Sequence, residues 1–315
     1  MKFRVLHYSD THNMLYPTIA AHNLNTTLAP DMFVNTGDCV NDKYGDSISN
    51  NSPWNYYYVI GNHDAITSAG AVPPYYDWTK QPTQEQEYNM YMAPLTVDVD
   101  IAENTTWWSK YFANHNIMAI GINCTALGDA LTAQSTWLDD ILTDCLAGNM
   151  KVLFFSHMPP SIAIQSGQWT NPTYYAPHNN HFDTAGFEAY YPFIQSSYTK
   201  LCNFADSGGK VLGFICGHEH ADGISIGGTT AKFPIISVAS TVFIPDNGSL
   251  IKDKYSDLYR DYNNTNSIKC PVTNLYEIDD DSLVCYRYGA EWAHNGSRRY
   301  VFTYDYKSDS YSLVY

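Results

Sequence analysis

The feature that most constrains this chain is a recurring pair: a short run of β-branched and aromatic residues, followed at once by residue types that ligate metals. Phe3 to Tyr8 leads into Asp10-Thr11-His12, Met32 to Asn35 into Gly37-Asp38, and Tyr56 to Ile60 into Gly61-Asn62-His63-Asp64. Val152 to Phe155 leads into Ser156-His157-Met158-Pro159-Pro160, and Val211 to Cys216 into Gly217-His218-Glu219-His220. Runs of this length, bounded by small or polar residues, read as buried strands, as does Ile235 to Val238. Ligand sites in α/β proteins gather beyond the carboxyl ends of the strands. Five segments spread over more than 200 residues can therefore meet in one crevice.

The intervening sequence supplies helices. Between Thr132 and Gly148, Trp137, Leu138, Ile141, Leu142, Cys145 and Leu146 form an apolar stripe, with Thr132 as expected N-cap and Gly148 as stop. Phe187 to Ala205 repeats apolar residues at three and four, with Pro192 at its first turn or at a kink. Segment 17–29 is a third candidate. Strands alternating with helices imply an α/β layer structure with βαβ crossovers. Trp107 to Asn123 reads instead as a hairpin turning at Asn114-His115-Asn116, and the C-terminal part as strands Leu275 to Ile278, Leu283 to Tyr288 and Tyr300 to Tyr304. Residues 67–94 and 161–184, aromatic and punctuated by Pro, fit no regular element; loops that long serve as lids or walls, or as packed surface.

The donor set consists of carboxylates, imidazoles and one amide, without clustered thiolates. It suits Mn, Fe or Zn and argues against iron–sulfur clusters and structural zinc, so two divalent ions are expected. An Asp-x-His arises by chance about once in such a chain, whereas Gly-Asn-His-Asp has odds of roughly one in several hundred; order and strand-end placement carry the argument. His7, His22, His115, His178, His181 and His294 read as ordinary hydrogen-bonded imidazoles.

Charge narrows the function classes. Seventeen Lys plus Arg against 32 Asp plus Glu leave −15, a field that repels duplex nucleic acid and anionic membranes. The start of the chain has no apolar leader and no stretch approaches 18 apolar residues, so a cytoplasmic location is expected. Seven Cys without a CxxC pair suit reduced, scattered thiols.

In order, the motifs DxH, GD, GNHD, H-x-P and GHxH resemble those of the calcineurin-like metallophosphoesterase family, over Asp10 to His220, about two thirds of the chain. The resemblance implies a four-layer αββα sandwich of two mixed β-sheets in a single domain over 1–315, with a core over 1–240 and C-terminal strands 270–315 completing the second sheet. It implies that Asp10, His12 and His220 bind one metal, that Asn62, His157 and His218 bind the other, and that Asp38 bridges them. His63 is then the general acid, and Asp64 positions it. Leu283 to Gly289 resembles the terminal strand of small bacterial and phage members, so a phage-encoded or virion-associated origin is a further expectation.

Two departures from that family's branches narrow the substrate. The Gly37-Asp38-Cys39-Val40-Asn41-Asp42 segment lacks the phosphate-clamping Arg of phosphoprotein phosphatases, and Asp64 stands where they have Glu. Purple acid phosphatases place a metal-binding Tyr soon after the bridging Asp, and His12 takes that ligand role here. A small-molecule phosphodiesterase or phosphomonoesterase remains, working through a hydroxide held between the two ions. Two ions contribute +4, Asp10 and Asp38 −2 and the hydroxide −1, leaving about one positive charge to hold phosphate in an acidic protein. His63 supplies the proton that an alkoxide leaving group needs. Trp169 and Tyr175 offer flat walls for a base, sugar or aryl group. Two rival readings are a metal-stabilised component of a larger assembly, such as a phage particle, and a single-strand nuclease; the charge and only five Arg weaken the latter.

Overall fold

A computed structural model of the chain describes residues 1–11, 15–39, 55–62, 64, 83–101, 104–160, 192–218, 223–238, 273–288 and 299–313. In chain order the elements are β1 (Phe3–Tyr8), α1 (Leu15–Leu28), β2 (Met32–Asn35), β3 (Tyr57–Tyr58), α2 (Gln84–Glu87) running into a π-helical turn (Tyr88–Met92), and β4 (Trp108–Phe112). A 3₁₀ turn (Ala113–His115) leads to β5 (Ile117–Gly121), then α3 (Gly128–Ala147), β6 (Lys151–Phe155), α4 (Pro192–Asp206), β7 (Lys210–Cys216), β8 (Gly223–Gly227) and β9 (Phe233–Ser237). Four strands close the chain: β10 (Thr273–Ile278), β11 (Ser282–Tyr288), β12 (Arg299–Asp305) and β13 (Ser310–Leu313).

These strands form two mixed sheets, of order β13-β12-β11-β10-β1-β2-β3 and β4-β5-β6-β7-β9-β8. In the first, β1, β2 and β3 run parallel and β10 returns antiparallel beside β1. The second is parallel through β5, β6, β7 and β9, with β4 and β8 antiparallel at its edges. The C-terminal strands thus complete the sheet that β1 opens, not the one built by the middle of the chain.

Period-two alternation explains the layering. On β6, Leu153 and Phe155 face the first sheet within the main core, whereas Val152 and Phe154 face α3 and α4. β5 behaves alike, with Ile117 and Ala119 inward and Ile120 and Ile122 toward the helices. β7 would lose this phase, but a register shift between its pairings to Val152 and Leu153 resets it. On the far side of the first sheet, His22 of α1 packs edge-on against Tyr8, Phe33 and Tyr56. The result is the αββα order that the motifs imply.

Three expectations need correction, and two strands were not expected. The third strand shrinks from five residues to two, although Val59 N–H still bonds Asn35 O at 3.0 Å. Helix α3 starts at Gly128 after Leu127, and Thr132 lies inside it, its hydroxyl donating to Gly128 O at 3.3 Å; Gly148 does end it. Residues 83–92, read as irregular, are helical behind a capping box between Thr83 and Gln86. Strands β8 and β13 carry no apolar run (Gly-Ile-Ser-Ile-Gly and Ser-Tyr-Ser-Leu) and gave no signal. The 114–116 turn is where the hairpin was expected, and α1 and α4 occupy predicted helical segments. Residues 187–191, 161–184 and 295–297 lie outside the described residues.

At the amino end of β6 and β7 the sheets are joined by polar contacts. Lys151 pairs with Asp280 at 2.8 Å, Lys210 donates to Asp280 O at 2.7 Å and lies 4.8 Å from the Tyr306 ring centre, and Tyr306 OH donates to Leu212 O at 2.6 Å. Nearer the other end, Trp108 of β4 donates from Nε1 to Tyr58 O at 2.6 Å. All six described cysteines are buried thiols. Among the described residues, no helix is long and apolar enough to cross a membrane.

Candidate metal centre

The carboxyl ends of β1, β2 and β3 in one sheet, and of β6 and β7 in the other, open onto the same edge of the sandwich. Backbone bonds continue past the strands and align their ends: Asp10 N–H to Gly37 O at 2.9 Å, and Gly217 N–H to His157 O at 2.9 Å. Two side chains then cross between sheets. His157 donates from Nδ1 to Thr36 O at 2.7 Å, and the Asp10 carboxylate accepts from His218 N–H at 3.0 Å.

Local backbone explains why the motifs contain these residue types. Asp10, Asp38 and His218 have φ of 55°, 54° and 68°, a left-handed region that Asp and His tolerate better than bulkier residues and that collects at functional sites. Gly37 stands before Asp38 at φ 103°; a Cβ there would lie 2.6 Å from Gly61 N and 2.9 Å from His157 Nδ1. A Cβ on Gly61 would meet Asp38 Oδ1 at 2.2 Å. The glycines of both motifs let three segments approach within side-chain contact of one another.

Four donor atoms converge there. His157 Nε2 lies 3.0 Å from Asn62 Oδ1, 3.1 Å from His218 Nδ1 and 3.2 Å from Asp38 Oδ2. Ligands about 2.0–2.1 Å from one tetrahedral cation stand roughly 3.3 Å apart, so this spacing fits a divalent ion. Asp38 and His157 are buried and His218 half-buried. Burial is the largest single influence on the His157 pKa and lowers it, but the charge and hydrogen bond of Asp38, the charge of Asp10 and the bond to Thr36 together outweigh it and raise it to about 9. The Thr36 carbonyl fixes the proton on Nδ1 and turns Nε2 toward the other donors, as metal-bound histidines are usually oriented.

These four residues are the set inferred for one metal plus the bridging carboxylate. Asp10, from the other set, is buried at the same edge. His12, His63 and His220 lie outside the described residues, as do Trp169 and Tyr175. Asp64, expected to position His63, has described partners of its own. Its Oδ2 accepts from Asp38 N–H at 2.9 Å, Gly61 N–H at 2.8 Å and Tyr58 OH at 2.5 Å, tying the second motif to the third.

Sequence reasoning missed Thr36 and Tyr58, whose contributions come through a carbonyl and a phenol that no motif marks. His7, read as an ordinary imidazole, is one: buried between Tyr276 OH at 3.1 Å and Thr36 Oγ1 at 2.8 Å, it has its pKa lowered to about 3 by burial and stays neutral.

An αββα sandwich with carboxylate and imidazole donors gathered at the carboxyl edge defines a metal-binding α/β protein. The chain matches the calcineurin-like phosphoesterase family over residues 3–222 and belongs to it. Among solved structures, a dimetal phosphatase from Danio rerio aligns with TM-score 0.51 at 13% identity, covering 91% of this chain and 96% of that one. Vacuolar Protein Sorting 29 from Cryptosporidium parvum aligns with TM-score 0.32 at 13% identity, over 96% of this chain and 97% of the other. At 13% identity, the likeness to the dimetal phosphatase is one of fold alone. No curated protein matches the chain.

Proposed function

We propose that the protein hydrolyses a small-molecule phosphodiester or phosphomonoester at two divalent ions, Mn, Fe or Zn, held by Asp10, His12, Asp38, Asn62, His157, His218 and His220. The observation that carries this reading is the convergence of Asp38, Asn62 and His218 on His157 Nε2, within a chain of the calcineurin-like phosphoesterase family. Such ions, when bound, activate water and offset charge growing on the phosphoryl oxygens.

The chain's own residues do the rest. The bonds from Asp38 and Gly61 N–H to Asp64 keep the bridging carboxylate and Asn62 at fixed separation. Thr36 orients His157. His63, between Asn62 and Asp64, gives the leaving alkoxide its proton. Trp169 and Tyr175 shape substrate choice rather than the chemical step.

Turnover of a panel of alkyl and aryl phosphate esters with added Mn²⁺ tests the proposal. General acid assistance is worth about 10²- to 10⁴-fold, so His63→Asn loses that factor on alkyl esters and much less on nitrophenyl esters. Absence of turnover with every metal rejects the hydrolase, and an equal loss on both ester classes removes His63 from the acid role.

A further inference from the structure

The Gly61–Asp64 turn is held from a direction that the metal motifs do not mark. Tyr91 donates from its hydroxyl to Asp64 O at 2.9 Å, from a sequence distance of 27 residues. It is buried and stacks on Tyr58, ring centres 5.6 Å apart at 28°, while the Tyr58 hydroxyl bonds the Asp64 carboxylate. Two phenols therefore grip Asp64, one at its side chain and one at its backbone.

Tyr91 sits in the π-helical turn, where Ala93 N–H bonds Tyr88 O at 2.8 Å across five residues. Single turns of this kind are frequent at functional sites. One turn earlier, Glu87 is buried as well and accepts from Asn123 Nδ2 at 2.9 Å. Asn123 lies just past β5 and is itself fixed. Its side chain also bonds Thr106 and Thr125, and its peptide N–H and C=O both bond the Gln134 side chain of α3. A buried polar group this fully satisfied is rigid.

We propose that Glu87 and Tyr91 form a positioning strut, anchored beside the second sheet at Asn123 and bearing on Asp64 beyond the first, that sets the turn carrying Asn62 against Asp38. The strut rests on the metal-centre reading above. Burial raises the Glu87 carboxyl to about 8, with the Asn123 bond opposing and the Asp64 charge adding, so at neutral pH it is a neutral hydrogen-bonding group. Glutamine can then replace it in kind.

The test is calorimetric titration of the full-length apo chain with Mn²⁺, with Tm and steady-state kinetics on the same preparations. Tyr91→Phe keeps the stacked ring and removes one hydroxyl. Loss of groups that orient metal ligands costs about 10- to 100-fold in metal affinity or activity. Tyr91→Phe is therefore expected to weaken Mn²⁺ binding about tenfold or more and to lower kcat at unchanged KM, with Tm within a few degrees of the parent. Glu87→Gln retains parental affinity, and Glu87→Leu reproduces the Tyr91→Phe loss. Parental Mn²⁺ affinity in Tyr91→Phe overturns the strut and leaves the centre standing. An unsubstituted chain that binds no Mn²⁺ overturns the centre and the strut together.

Discussion

At the edge where Asp10, Asp38, Asn62 and His157 meet, charged and polar side chains are buried and the backbone turns left-handed at Asp10, Asp38 and His218. At the opposite edge Lys151 pairs with Asp280 and Lys2 with Glu277 in partly exposed contacts at 2.8 and 3.3 Å. Both edges join the same two sheets. The exposed pairs keep their hydration and cost little to form, whereas the buried donors give up their hydration and crowd acceptor atoms together, an arrangement that a cation would favour. One edge serves mainly to close the sandwich. The other stores strain and charge that ligand binding can release.

The largest effect expected is at Gly37. Gly37→Ala drives a methyl into Gly61 and His157 at a backbone angle alanine resists, and overpacking plus strain cost about 2–6 kcal/mol together. Urea denaturation is expected to show that loss together with loss of Mn²⁺ binding. A mild, metal-competent Gly37→Ala would erase the contrast between the edges.

Next comes the pH response beside the centre. Glu87 moves from 4.5 to about 8 on folding, so between those values the folded chain holds a proton that the unfolded chain has released. Stability from this group therefore falls as pH rises from about 4.5 to about 8, by up to about 5 kcal/mol, and levels off above. Glu87→Gln flattens that decline in stability measured against pH. An unchanged slope would place the proton elsewhere.

Much of this edge was legible in the sequence because five strand ends carry ligand-type residues in order, each marked by its apolar run and three of them also by a Gly. Asp38, Asn62, His157 and His218 needed only that topology. Thr36, Tyr91 and Asn123 were not legible: they act through a carbonyl, a phenol and an amide whose partners lie far along the chain. A different reason hid β8 and β13, which are placed by pairing to their neighbours β9 and β12 rather than by apolar content of their own. The π-helical turn was hidden by the Tyr- and Pro-rich sequence around it, although Thr83 and Gln86 already spelled a capping box.

Ligand and salt should act on opposite edges. Mn²⁺ at a hundred times its Kd is expected to raise stability by about 2.7 kcal/mol, seen as a rise in Tm that a chelator reverses. Raising NaCl to roughly 1 M screens the exposed pairs and changes stability far less. The smallest effect is Lys151→Ala, which removes a pair whose Asp280 partner is largely exposed and costs less than about 1 kcal/mol with metal binding untouched. If Lys151→Ala weakened Mn²⁺ binding, the two edges would not be independent.

The central claim is that one carboxylate, Asp38, is shared by two ions. Elemental analysis of the purified chain and of Asp38→Asn, with turnover measured on both, tests it most directly. The account predicts about two transition-metal ions per unsubstituted chain and a joint loss of both ions and of turnover in Asp38→Asn. Normal metal content with unchanged turnover in Asp38→Asn would contradict it.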